Sequence, residues 1–274
     1  MFFNKFNFMF KRIASVVSAT VLLLSAPALV YADETVAPAD RNTTFSFADI
    51  DLAVDVSDDL VCFTRNVSSN NAYLEKIGAE NAEGLRNTMI ANHVYLEAIP
   101  KDSEHVTYEI IIAGDKLKDT EVTDLSTLSD TELNNLLKDY TGNINKETEQ
   151  VKETLVNSSI KKIGDATYFC TDIESVSVAT DITVNVKKYY TIKNGYYYTF
   201  SVQTTEKSIT SDMNNNINSI LNSARYKEIK AGLFDNPMFS EITSMLLTCV
   251  APIAILAFIF WISVSMTTKR KKKV

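Results

Sequence analysis

The sequence predicts an α+β domain, an antiparallel β-sheet covered by helices, followed by one apolar helix long enough to cross a membrane. Three observations lead there. Strand-like alternation comes in neighbouring pairs joined by short turns, which suits antiparallel pairing. Stripes at helical spacing stand between those pairs, giving helices that pack on the sheet. Residues 243–266 (TSMLLTCVAPIAILAFIFWISVSM) carry no charge from Met245 to Met266, and a span needs ~20 apolar residues.

The ends divide the chain. Lys5, Lys11 and Arg12 precede an apolar run at 13–30, and Val30-Tyr31-Ala32 fits a small-x-small cleavage site. Residues 1–32 therefore read as a signal peptide; an uncleaved signal anchor is the alternative. Residues 33–43 are a polar linker. Residues 44–227 are the exported domain, 228–242 a juxtamembrane spacer, 243–266 the membrane-spanning helix and 267–274 a basic cytoplasmic tail. Lys269, Arg270, Lys271, Lys272 and Lys273 form a stop-transfer run by the positive-inside rule. Pro252 is tolerated within a span, where neighbours absorb the lost hydrogen bond.

Within the domain, Phe45, Phe47, Leu52, Val54, Val56, Val61 and Phe63 alternate around Ser57-Asp58-Asp59, predicting two short strands joined by a turn. Residues 72–92 lack alternation and predict an irregular helix or helical turns. Residues 93–100 and 105–113 predict a second strand pair around Pro100-Lys101-Asp102-Ser103. Ser129 and Glu132 form a capping box. Leu133, Leu136, Leu137, Tyr140 and Ile144 follow at helical spacing, and Val151, Leu155 and Ile160 extend the stripe towards a stop at Gly164. Residues 166–204 predict three long strands, the last two meeting at Asn194-Gly195, a type I′ hairpin signal. Alternation sets Tyr190, Tyr196 and Tyr198 on an apolar face. A last helix presents Ile209, Met213, Ile217, Ile220, Leu221 and Ala224 on one side.

Three stretches together resemble the PsbP-like α/β/α sandwich, a fold of photosystem extrinsic proteins and of small bacterial exported proteins. They are ADIDLAVDVSDDLVCFTR, the hairpin YYTIKNGYYYTFSVQTT and the closing NSILNSARY. The likeness spans residues 44–227 and rests on spacing and hydrophobic pattern. It implies an accessory or binding module. It transfers no functional residue, and a photosynthetic role does not follow from fold.

Charge narrows the partners. All 34 acidic residues lie between the two ends, with 19 of the 27 basic ones once the three at the signal peptide and the five in the tail are set aside. The exported part is thus acidic by 15, which argues against nucleic acid. Partners are expected to be the membrane itself and an unidentified protein. Composition and the long basic n-region favour the plasma membrane of a Gram-positive bacterium, domain outside and C-terminus inside. Sequons at Asn42, Asn66 and Asn157, and Lys271-Lys272 near the C-terminus, are the features that would suit a eukaryotic ER protein instead.

Chemistry is sparsely signalled. Cys62 and Cys170 are the cysteines outside the span, and a disulfide between them is one reading, two buried thiols the other. His93 and His105 open the strands of the second pair, with Glu97 and Glu104 nearby, but in no ligand spacing of a known kind. Asp49, Asp51, Asp55, Asp58 and Asp59 gather near one turn and read as solvated charge. Tyr189 and Tyr197, left on the polar face, are the candidates for an aromatic binding patch. No metal or cofactor motif and no nucleophile–base signature is present. The expectation is a non-enzymatic binding or accessory module. The alternatives are a carboxylate-dependent cell-envelope hydrolase and a structural cell-envelope protein.

Overall fold

The computed structural model describes residues 42–227 apart from 104, 119, 143, 146, 147 and 149. The signal peptide, most of the linker, the spacer, the predicted span at 243–266 and the stop-transfer run lie outside the described residues. Among those described, no helix is long and apolar enough to cross a membrane.

The strands are β1 (Asn42–Phe47), β2 (Leu52–Ser57), β3 (Leu60–Thr64), β4 (Val94–Pro100), β5 (Glu109–Lys116), β6 (Val151–Ile163), β7 (Ala166–Ser177), β8 (Thr183–Lys193), β9 (Tyr196–Thr204) and β10 (Arg225–Tyr226). Among the described residues, three α-helices join them: α1 (Ala82–Ala91), α2 (Asp130–Thr141) and α3 (Ser211–Ser223). All pairing is antiparallel, in a three-stranded sheet β1-β2-β10 and a seven-stranded sheet β3-β4-β5-β9-β8-β7-β6. The linker ends earlier than its sequence suggests, because Asn42 and Thr43 already pair with Ser57 and Val56.

Both faces of the large sheet are covered. On the first, α3 and the small sheet bury Leu52, Val54, Ile110, Ile112, Tyr189, Tyr198, Phe200 and the α3 stripe Met213, Ile217, Ile220 and Leu221. Thr210 caps α3, its hydroxyl accepting from the Met213 amide. The second face is shared. At one end α1 buries Leu85 and Met89 against Phe63, Ile99 and Ile111. At the other α2 buries Leu133 and Tyr140 against Phe169, Val186 and Tyr190. The expected capping box stands at the start of α2: Ser129 accepts from the Glu132 amide, and Glu132 accepts from the Ser129 amide at 2.9 Å.

Three sequence expectations change. Residues 151–163 are an edge strand, not the end of a helix. The positions that read as helical, Val151, Leu155 and Ile160, lie on one face of β6, separated by a bulge at Val156 that breaks the two-residue period. Val156 itself points to solvent. Gly164 accordingly opens a two-residue hairpin turn, with φ of 60°, rather than closing a helix. Finally, the first strand pair does not pair: β2 belongs to the small sheet and β3 to the large one, so Asp58-Asp59 carries the chain between sheets.

Candidate functional site

The Asn194-Gly195 turn has positive φ at both residues and pairs Lys193 with Tyr196. A two-residue turn therefore sets the odd positions of β8 beside the even positions of β9. Tyr189 faces the first core with Phe200, 1 % exposed, while Tyr190 and Tyr197 stack on the second face with ring centroids 6.4 Å apart. Tyr189 and Tyr197 lie on opposite faces and form no common patch.

The cysteines are not joined either. Both are free thiols. Cys62 is on the edge strand β3 and Cys170 on β7, five strand steps away, or roughly 24 Å at ~4.8 Å per step. Burial pushes the Cys62 thiol up to about 12. His93 and His105 lie at opposite ends of the β4–β5 hairpin, since starts of antiparallel strands do not meet. His93 instead pairs with Asp115, its Nδ1 3.2 Å from the carboxylate.

The aspartates near the first turn hold strands together. Arg225 donates to both oxygens of Asp55 at 2.9 Å, and Thr44 donates to it at 2.7 Å. Those hydrogen bonds, Arg225 first, pull its carboxyl down to about 2. Asp58 accepts from Thr43, and Asp59 from Ser57. Among the described residues no group of three or more His, Cys, Asp or Glu side chains is placed to hold a metal ion.

The unusual chemistry lies elsewhere, on the second face between α1 and α2. Register builds it. Glu97 on β4 stands opposite Ile111 on β5, Ile111 opposite Ser201 on β9, and Ser201 opposite Lys188 on β8. One pleat further along, Glu109 stands opposite Gln203. Glu97 and Glu109 are each 2 % exposed and Lys188 4 %. Ser201, between them, is partly exposed. Its strand is flanked by β5 and β8, and the face behind it is filled by Phe200 and Val202. The exposed part of Ser201 therefore lies on the second face, between the residues buried by α1 and those buried by α2, with the acids on one side and a lysine on the other; this strip is the recess.

The recess is electrostatically loaded. Gln203 Nε2 donates to Glu109 Oε2 at 3.0 Å. Glu97 Oε1 is buried without a hydrogen-bond partner. Burial lifts the Glu97 carboxyl to about 7. It lifts Glu109 well above the carboxylate range, helped by the charge of Glu97 and opposed by the Gln203 bond. Burial lowers Lys188 to about 8, against the pull of Glu153. Buried ionisable groups weaken a fold unless paired, and such groups accumulate at functional sites.

The solved structures similar to this one include the solution structure of cyanobacterial PsbP (CyanoP) from Synechocystis sp. It is 11 % identical, covers 72 % of this chain and 98 % of its own, and has a TM-score of 0.40. A Bacteroides thetaiotaomicron crystal structure is 9 % identical, covers 67 % of this chain and 48 % of its own, and has a TM-score of 0.36. No family model matches the chain, and no curated protein matches it in sequence. The likeness is one of fold and carries no role across.

Sequence reasoning passed over these groups. In the sequence Glu97 stands out only as a neighbour of His93, and Glu109, Lys188 and Gln203 carry no motif. The signal was there as a charge interrupting an apolar row: Lys188 within Val184, Val186, Tyr190 and Ile192, and Glu109 before Ile110-Ile111-Ile112.

Proposed function

We propose that this chain is a membrane-tethered extracytoplasmic binding module with no catalytic role, and that it binds through the recess on the second face. What supports this most is the set Glu97, Glu109, Gln203 and Lys188, buried at a gap between helices that Ser201 leaves open. The carboxylates that would serve a hydrolase, around Asp51 and Asp58, are scattered, and Asp55 among them is clamped by Arg225. The tether rests on the sequence: signal peptide, apolar span and basic run.

The test is chemical cross-linking of intact cells, detergent extraction, capture of the chain and mass spectrometry, with wild type beside Ser201→Phe. The substitution fills the recess from its floor and leaves both cores intact. A stoichiometric partner that is lost in Ser201→Phe supports the proposal. A partner retained equally by both moves the binding surface elsewhere.

A further inference from the structure

We propose that the outer edge of β6, over residues 157–163, pairs with the same edge of a second copy of this chain, joining two large sheets in a two-fold dimer. The inference goes beyond the recess and shares with the binding reading only the membrane tether.

β6 is the last strand of the seven-stranded sheet and is 13 residues long. A long unpaired edge is a template for another strand, and folds blunt such edges. The first half of β6 is blunted. The Val151 amide donates to Thr148 Oγ1 at 3.0 Å, and its carbonyl accepts from the Thr148 amide at 2.9 Å. The Leu155 amide donates to Asn145 Oδ1 at 2.8 Å. The bulge at Val156 then bends the strand.

Among the described residues, the second half has no such cover. Ile163 and Ala166 close the two-residue turn, so they form a hydrogen-bonded pair, and so does every second pair back from them. Those pairs are Lys161 with Tyr168, Ser159 with Cys170 and Asn157 with Asp172. The residues between, Ser158, Ile160 and Lys162, therefore turn their amides and carbonyls away from β7. No strand among the described residues takes them.

Self-complementarity chooses the occupant. Set antiparallel about Ile160, two copies place Ile160 opposite Ile160, and Ser158 opposite Lys162 in both directions. Every outward amide and carbonyl of the three residues is then used. The lysines do not oppose this. Lys161 reaches inward across the first face, its Nζ 5.7 Å from the centroid of the Tyr189 ring on β8. The two Lys162 residues stand roughly 14 Å apart at strand spacing, beyond the ~8 Å screening length of physiological salt. Ile160 is only partly buried, against the α2 cluster, and the pairing covers more of it in both copies.

The symmetry also suits the tether. A two-fold axis perpendicular to the joined sheet keeps each face on its own side. β10, the last strand before the spacer, lies in the small sheet, and its Tyr226 is buried in the first core. Both chains thus leave the dimer from the first face, as two chains bound for one membrane must.

The experiment uses the full chain in phosphatidylcholine vesicles, with Cys62→Ser, Cys170→Ser and Cys249→Ser as background. Opposed α-carbons of a hydrogen-bonded pair lie ~5.5 Å apart, within disulfide reach. Ile160→Cys is expected to give a disulfide-linked dimer under mild oxidation. Thr154→Cys, exposed in the blunted half, would stand roughly 40 Å from its counterpart and should give none. Ser158→Pro, added to Ile160→Cys, removes an outward amide at a place where an edge strand tolerates proline, and the dimer should be lost. Energy transfer between donor- and acceptor-labelled wild type in the same vesicles, falling when unlabelled chain is added, reads the dimer without any variant. No energy transfer in wild type overturns the proposal. So do equal yields from Ile160→Cys and Thr154→Cys, or a yield undiminished by Ser158→Pro. The recess reading is decided separately, by the partner lost or kept in Ser201→Phe.

Discussion

Replacing Glu97 by glutamine should make the protein more stable at pH 8 and change little at pH 4. The side chain is 2 % exposed, so solvent screens its charge weakly. Burial lifts its carboxyl from 4.5 to about 7. The folded value lies above the unfolded one. The stabilisation from holding Glu97 neutral is therefore complete below 4.5 and is lost as pH rises through 7. Each pH unit of the shift corresponds to ~1.4 kcal/mol, so wild type should lose about 3 kcal/mol from this residue between pH 4 and pH 8. Glutamine keeps the shape and removes the ionisation. Urea unfolding midpoints of both proteins at pH 4, 6 and 8 give the difference directly. The gap should open in favour of the variant across that range. Parallel curves, or a wild type that gains on the variant as pH rises, would refute the claim that Glu97 is buried uncompensated.

Lys188→Met should stabilise at pH 7 by on the order of 2–3 kcal/mol, because burial depresses the lysine to about 8 and methionine fills the same volume without charge. The unfolded chain holds the extra proton between that value and 10.5, so wild type recovers stability as pH rises through this window, and chemical denaturation at pH 7 and 10 reads the change. Tyr198→Phe strands the Ile50 carbonyl, which accepts from the tyrosine hydroxyl at 2.7 Å in the first core; a loss of about 1–3 kcal/mol is expected by urea titration. Reductant should leave the melting temperature unchanged, and thiol reagent should react with Cys62 and Cys170 only slowly until the protein unfolds, since both are free and held in their protonated form by burial. Protease added to intact cells should remove the acidic domain and leave the apolar C-terminal segment with the membrane.

What was readable in the sequence was local. The I′ turn at Asn194-Gly195, the capping box at Ser129 and the α3 stripe each depend on residues within a few positions, and each stands where its motif falls. What was lost depended on pairing. The bulge at Val156 shifted the phase of β6 and made three strand positions look helical. Covering both faces buried Tyr189, whose position outside the apolar alternation had suggested exposure. The recess is harder still to see. Glu97, Glu109, Lys188 and Gln203 come from four strands up to 106 positions apart, and only the register of the seven-stranded sheet brings them to one face. A polar or charged interruption of an apolar row is the sole trace each leaves, and on an edge strand the same trace marks an ordinary solvated residue.

The most direct measurement is photo-cross-linking in intact cells from a benzophenone side chain placed at Lys138, exposed on α2 over the second face, against the same probe at Asn222, exposed on α3 over the opposite face. A binding module that works through the second face gives an adduct from position 138 and none from 222. An adduct from 222 alone, or none from 138, contradicts it.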